Sequence, residues 1–160
     1  MPSDADIKAQ FWKDLGASPF MMLGLDGARD GHTQPMTAKS EGDTGPLWFF
    51  TTKDNGLVAA LEQSHRAIAT YTGKGHDLFA SIHGELSVDR DEAVIDRLWD
   101  KHVEAWFEHG RADPKLTLLR LDVETAEIWV TGSSIGAFVS RLFGKDPKQT
   151  YADNIAEVTL

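Results

Sequence analysis

The clearest pattern in the chain is a strict alternation. Leu78, Ala80, Ile82, Gly84, Leu86 and Val88 alternate with Phe79, Ser81, His83, Glu85 and Ser87, which predicts a strand from Leu78 to Val88 with one face buried. The start of the chain has a different period. Ser3 followed by Asp6 is close to a capping box, and Ile7, Phe11 and Leu15 then recur at helical spacing until Gly16 and Pro19 stop the helix. Phe20 to Leu25 reads as a strand, Ala28–Gly31 as a turn, and His32–Ser40 as the second arm of a hairpin. After turn signals over Glu41–Pro46, Leu47–Thr52 is β-prone on both faces, as a buried strand should be.

Asp54 or Asn55 caps a short helix through Leu61, and the small and β-branched residues Ala67–Thr72 predict a further strand before a Gly73–Gly75 turn. Asp91 opens a helical region to about Glu108, followed by Leu116–Val123 and Ala126–Thr131 as a last strand pair. Ser133 or Ser134 caps a final helix with Ile135, Phe138, Val139, Leu142 and Phe143 on one stripe, so that about the last 25 residues form a helix and a tail. Strands in runs, without regular strand–helix alternation, predict a β-rich α+β domain. Its expected form is an antiparallel barrel or sheet with peripheral helices.

Composition narrows the chemistry. With 160 residues, 41% hydrophobic and 26% charged, the chain has the size and balance of one globular domain rather than a disordered segment. It has no cysteine, which removes disulfides, thiolate nucleophiles and cysteine-held zinc or iron–sulfur clusters. A net charge of −9 argues against broad contact with nucleic acid or anionic lipid. It leaves room for a small phosphorylated ligand, because one phosphate needs only a local group of donors. No apolar run of signal-peptide or membrane-span type is present, so a cytoplasmic location is expected.

The six histidines do not form a metal motif. His102 and His109 are too far apart along a helix to share an ion, and His76 and His83 have odd spacing on or near a strand. Asp100, Glu104 and Glu108 form an acidic stripe opposite Trp99, Val103 and Phe107, which reads as a solvated face rather than a catalytic dyad. No nucleophile elbow, Walker loop or dinucleotide turn occurs. Two segments remain: Gln34-Pro35-Met36-Thr37-Ala38-Lys39, and Leu47-Trp48-Phe49-Phe50-Thr51-Thr52-Lys53-Asp54-Asn55. They describe two neighbouring strands, the second ending in hydroxyls, a lysine and a helix start. Such an end can hold a phosphate through free amides and hydroxyls, and the strand bodies offer a planar ligand a surface. The same residues also suit a core strand followed by a capped helix.

The ordered set of short motifs resembles the FMN-binding split-barrel family of the pyridoxamine 5'-phosphate oxidase superfamily, in its general stress protein branch. The resemblance rests on Pro35-Met36-Thr37, Leu47-Trp48-Phe49 with Thr51, Ser81 with Gly84, and Ala105-Trp106-Phe107. It continues in Leu118-Leu119-Arg120-Leu121 and Ala126-Glu127-Ile128-Trp129, and covers the chain from about Phe11 to Leu160. It implies an antiparallel split β-barrel with peripheral helices and FMN as cofactor. By position, Gln34, Pro35, Met36 and Thr37 would border the flavin ring. Phe50, Thr51, Thr52 and Lys53 would reach the ribityl and phosphate groups, with Asn55 at the helix start. The resemblance also implies a homodimer with flavin sites at the subunit interface. Trp106 either approaches the flavin from the second subunit or packs in a helix stripe with Trp99, Val103 and Phe107.

Two positions depart from the family. Gln34 stands where arginine is frequent, and it donates a hydrogen bond without carrying charge. Gly56 and Leu57 stand where the family carries one or two basic residues at the helix start. The expectation is an FMN-binding stress-type flavoprotein whose flavin would carry any electron transfer. Its alternative is a flavin-free or weakly flavin-binding dimeric module for sensing or interaction. No cluster of arginine, lysine and histidine stands ready to hold a substrate phosphate beside the flavin, which argues against pyridoxamine phosphate oxidase activity.

Overall fold

The computed structural model describes residues 2–131 and 155–160. Helix α1 (Asp4–Ala17) begins at the expected capping box, with Ser3 and Asp6 bonded reciprocally, and buries Ile7, Phe11, Trp12 and Leu15. Among the described residues seven strands follow the helix: β1 (Phe20–Leu25), β2 (Thr33–Thr37), β3 (Leu47–Thr52), β4 (Ser64–Thr72), β5 (Leu78–Asp89), β6 (Leu116–Val130) and β7 (Ile155–Thr159). Helix α2 (Gly56–Leu61) links β3 to β4, and α3 (Glu92–Leu98) and α4 (Lys101–Glu104) lie between β5 and β6.

All strand pairs are antiparallel, in the order β2-β1-β4-β5-β6-β3, with β7 added on β6. The two ends of this path meet where Lys39 and Trp48 exchange backbone hydrogen bonds of 2.8 Å, which closes the sheet into a split barrel. The inside is filled by Met21, Leu23, Phe49, Ile82, Leu86 and Leu121. Helix α1 packs on this core through Phe11, whose ring meets Trp12 and Tyr71 edge-on at 5.1 and 5.9 Å. A smaller cluster outside the barrel packs Trp48 and Leu118 against Ile95 and Leu98 of α3. That helix therefore covers the outer face of β3 and β6, while Phe20, Met22 and Phe79 on β1 and β5 stay exposed.

Four boundaries differ from the sequence expectation, each for a physical reason. The second hairpin arm ends at Thr37, because the Ala38 amide turns to the Pro19 carbonyl and Lys39 pairs with β3 instead. Strand β4 begins at Ser64, three polar residues before the apolar run, because Ser64–Arg66 complete the ladder with β5. The helix expected over Asp91–Glu108 breaks at Trp99, whose extended backbone (φ −67°, ψ 132°) frees Asp100 to cap α4 through the Val103 amide. The last strand pair is one strand of 15 residues, β6. Its polar Glu124 and Thr125 mark a bulge opposite His83 and Gly84 rather than a turn. The helix expected over residues 133–145 lies outside the described residues, and the tail beyond it carries β7.

Candidate ligand-binding site

The two segments singled out by sequence meet at one point. Gln34 Nε2 on β2 donates to Asn55 Oδ1 at 2.7 Å, and the same oxygen accepts the Leu57 amide at 2.9 Å. Asn55 thus caps α2 and orients Gln34, across 21 residues of sequence. Directly beside this pair lies a side chain that sequence reasoning passed over. A Cβ placed on Gly56 would stand 3.1 Å from a terminal guanidinium nitrogen of Arg29. Arg29 reaches this position from the β1–β2 turn, where Arg29, Asp30 and Gly31 all take positive φ (53°, 55° and 71°). The absent side chain at position 56 is the sequence signal that could have revealed it, but only together with the turn geometry.

The other expected residues divide by strand alternation. On β2, Gln34 and Met36 turn inward, and Met36 is part of the barrel core. Pro35 and Thr37 are exposed on the outer face. On β3, Phe50 faces outward and meets Trp99 edge-on at 5.8 Å, which places its ring under the α3–α4 junction. Thr51 lies opposite Thr117, a buried residue of β6. Thr52 Oγ1 donates to Asp54 Oδ1 at 2.6 Å, and Lys115 Nζ approaches the other oxygen of Asp54 at 3.2 Å. The Thr52 hydroxyl, then Lys115, holds the Asp54 carboxyl below its ordinary value.

Lys53 lines a separate cleft of about 640 Å³ with Val58, Glu62, Arg90, Arg111 and Leu116. Leu57, one of the two places where a basic residue would have been expected, is fully buried in the core. Trp106 is 82% exposed, on the turn after α4, so it does not belong to a core stripe with Trp99, Val103 and Phe107. Trp99 fills that role, its ring 5.8 Å from Phe107. The acidic stripe also dissolves in space: Asp100 pairs with Lys39. No group of three or more histidine and carboxylate side chains among the described residues could hold a metal ion.

An antiparallel split barrel with a polar group joining its second strand to the start of its second helix is the class this architecture defines. The chain belongs to the family described as pyridoxamine 5'-phosphate oxidase like, which matches residues 6–152. Its fold is similar to that of a general stress family protein from Xanthomonas campestris pv. campestris (TM-score 0.78, 56% identity, covering 84% of this chain and 93% of that one). A general stress FMN/FAD binding protein from Xanthomonas citri is similar to a like degree (TM-score 0.77, 54% identity, 81% and 92% covered). A general stress protein 26 from Jannaschia sp. CCS1 matches nearly end to end (TM-score 0.80, 27% identity, 99% and 100% covered). No curated protein matches the chain.

Proposed function

We propose that this protein is an FMN-binding, stress-type flavoprotein that works as a homodimer with flavin sites at the subunit interface. The observation that carries the reading is the 54% identity, over 81% of the chain, to the FMN/FAD binding protein of Xanthomonas citri. The donor set fits such a ligand. Gln34, Thr51 and Asn55 offer an amide, a hydroxyl and a helix cap to a ribityl phosphate, and Lys53 stands at the end of the same strand. Pro35 and Thr37 form the exposed side of the strand against which a planar ring would lie. The flavin supplies the electron-transfer chemistry when bound, and the chain's own residues position it and set its electrostatics.

The homodimer rests on the uncovered outer face of the barrel. Phe20, 65% exposed, stands there with Met22 and Phe79, and Trp129 is the β6 neighbour of Phe79. Aromatic residues and methionine are the side chains that interface cores favour. The exposed indole of Trp106 is free to reach a flavin held by the other copy.

Gently purified protein should carry a flavin absorption band, and apo protein should take up FMN at one molecule per chain in a fluorescence titration. Colourless protein that fails to bind added FMN would assign the chain to flavin-free dimeric modules instead.

A further inference from the structure

Arg29 is the cation seated over Gly56, the residue after the Gln34–Asn55 pair, and no carboxylate among the described residues neutralises it. Arg66, Arg97, Arg111 and Arg120 each hold a carboxylate, to Glu124, Glu41, Glu92 with Asp96, and Asp122 respectively. Arg29, like Arg90 of the Lys53 cleft, has no such partner among the described residues, although 25 acidic residues and a net charge of −9 make partners abundant. Its terminal nitrogen instead stands 3.1 Å from where the Gly56 Cβ would be, a space left open because residue 56 has no side chain. The next residue back, Asn55, holds Gln34 at 2.7 Å, so a neutral donor and a guanidinium with no carboxylate partner among the described residues flank one backbone stretch. Lys53, the nearest cation in sequence, lines the cleft of Glu62 and Arg90 instead.

We propose that Arg29 is the residue that reads the charge of the ligand: its guanidinium over Gly56 holds the phosphate of FMN, taking the place of the cation that positions 56 and 57 lack. This rests on the FMN reading above and extends it. A forked guanidinium suits a phosphate because it donates two parallel hydrogen bonds to a charged acceptor. Gly56 and Arg29 are then one device, in which the missing Cβ admits the guanidinium. A cation on position 56 and a cation delivered from the β1–β2 turn are alternative ways to fill the same space.

The test is a fluorescence titration of FMN and riboflavin, which lacks the phosphate, into wild type, Arg29→Gln and Arg29→Gln/Gly56→Arg. Arg29→Gln should weaken FMN by about 10- to 100-fold, the scale of a charge-assisted hydrogen bond, and leave riboflavin within about twofold. Returning a cation through Gly56→Arg should recover most of the lost FMN affinity. Arg29 is exposed, so its variant should melt with the wild type and keep the comparison clean. Unchanged FMN binding by Arg29→Gln, or equal losses for FMN and riboflavin, would overturn the role of Arg29 and leave the flavoprotein reading standing. Wild type that binds neither flavin would overturn both.

Discussion

Asp100 shows how far a single residue's work depends on what surrounds it. In sequence it belongs to an acidic stripe, and a solvated role is the natural reading. In the fold its carboxylate caps α4 through the Val103 amide at 2.8 Å and pairs with Lys39, tying the helical excursion to the strand that closes the barrel. Partial burial pushes the Asp100 carboxyl up, but Lys39 and the Val103 amide outweigh it and hold the group below its ordinary 3.8. A depressed folded-state value means that this stabilisation is complete above the unfolded value and is lost as pH falls through the folded one. Asp100→Asn keeps a capping oxygen and removes the charge. It should lower Tm by about 1–3 °C at neutral pH, a modest effect because the pair is partly solvated. The difference should vanish well below 3.8, where the wild-type carboxyl is protonated too. Thermal melts across pH check this, and a constant offset would locate the effect in the cap instead. At this scale Asn55 was legible, because its capping chemistry is local. Arg29 was not, because its position depends on three left-handed residues and on an empty space 27 residues away.

Among the elements, β5 was read almost to the residue, since a buried face opposite a polar one leaves a period of two in the sequence. Its partner β6 was read as two strands because a bulge and a turn share polar residues. Gly84 is where the difference is made. A Cβ there would lie 2.2 Å from the Asp122 carbonyl oxygen, so only glycine lets the two backbones approach at the bulge. Gly84→Ala must push backbone against backbone, and should cost about 2–4 kcal/mol in urea unfolding. A loss below about 0.5 kcal/mol, the range of an ordinary surface change, would mean that the bulge can shift freely. The broken helix between Glu92 and Glu104 has a similar origin. An uninterrupted helix would satisfy local propensity, but Trp99 packs between Phe50 and Phe107 only if the chain turns there.

For the whole molecule, the uncovered sheet face and the exposed Trp106 belong to the same proposed assembly. Light scattering at micromolar concentration should return twice the chain mass of 17.7 kDa. The pair of changes Phe20→Asp and Phe79→Asp places charge on an apolar interface and should reduce the mass to that of one chain. Trp106→Ala should weaken FMN while leaving the apo melting temperature within about 1 °C, as expected for a side chain with no core to lose. A large drop in apo stability would instead assign the indole a packing role, and a wild-type monomer would remove the shared site.

What the sequence determined by itself is what local physics can write down. The capped helix at Ser3, the alternation along β5 and the Asn55 cap were readable as an antiparallel barrel or sheet with peripheral helices, because capping, side-chain period and turn chemistry act over a few residues, and the resemblance of the ordered motifs implied that the barrel is split. Tertiary structure alone decided the rest. Met36 turned into the core while Gln34 met Asn55, Trp106 was left in solvent while Trp99 was packed, and the Arg29 guanidinium from another hairpin came to lie over Gly56. Each of these depends on which distant backbone lies across the barrel, and no window of neighbouring residues contains that information.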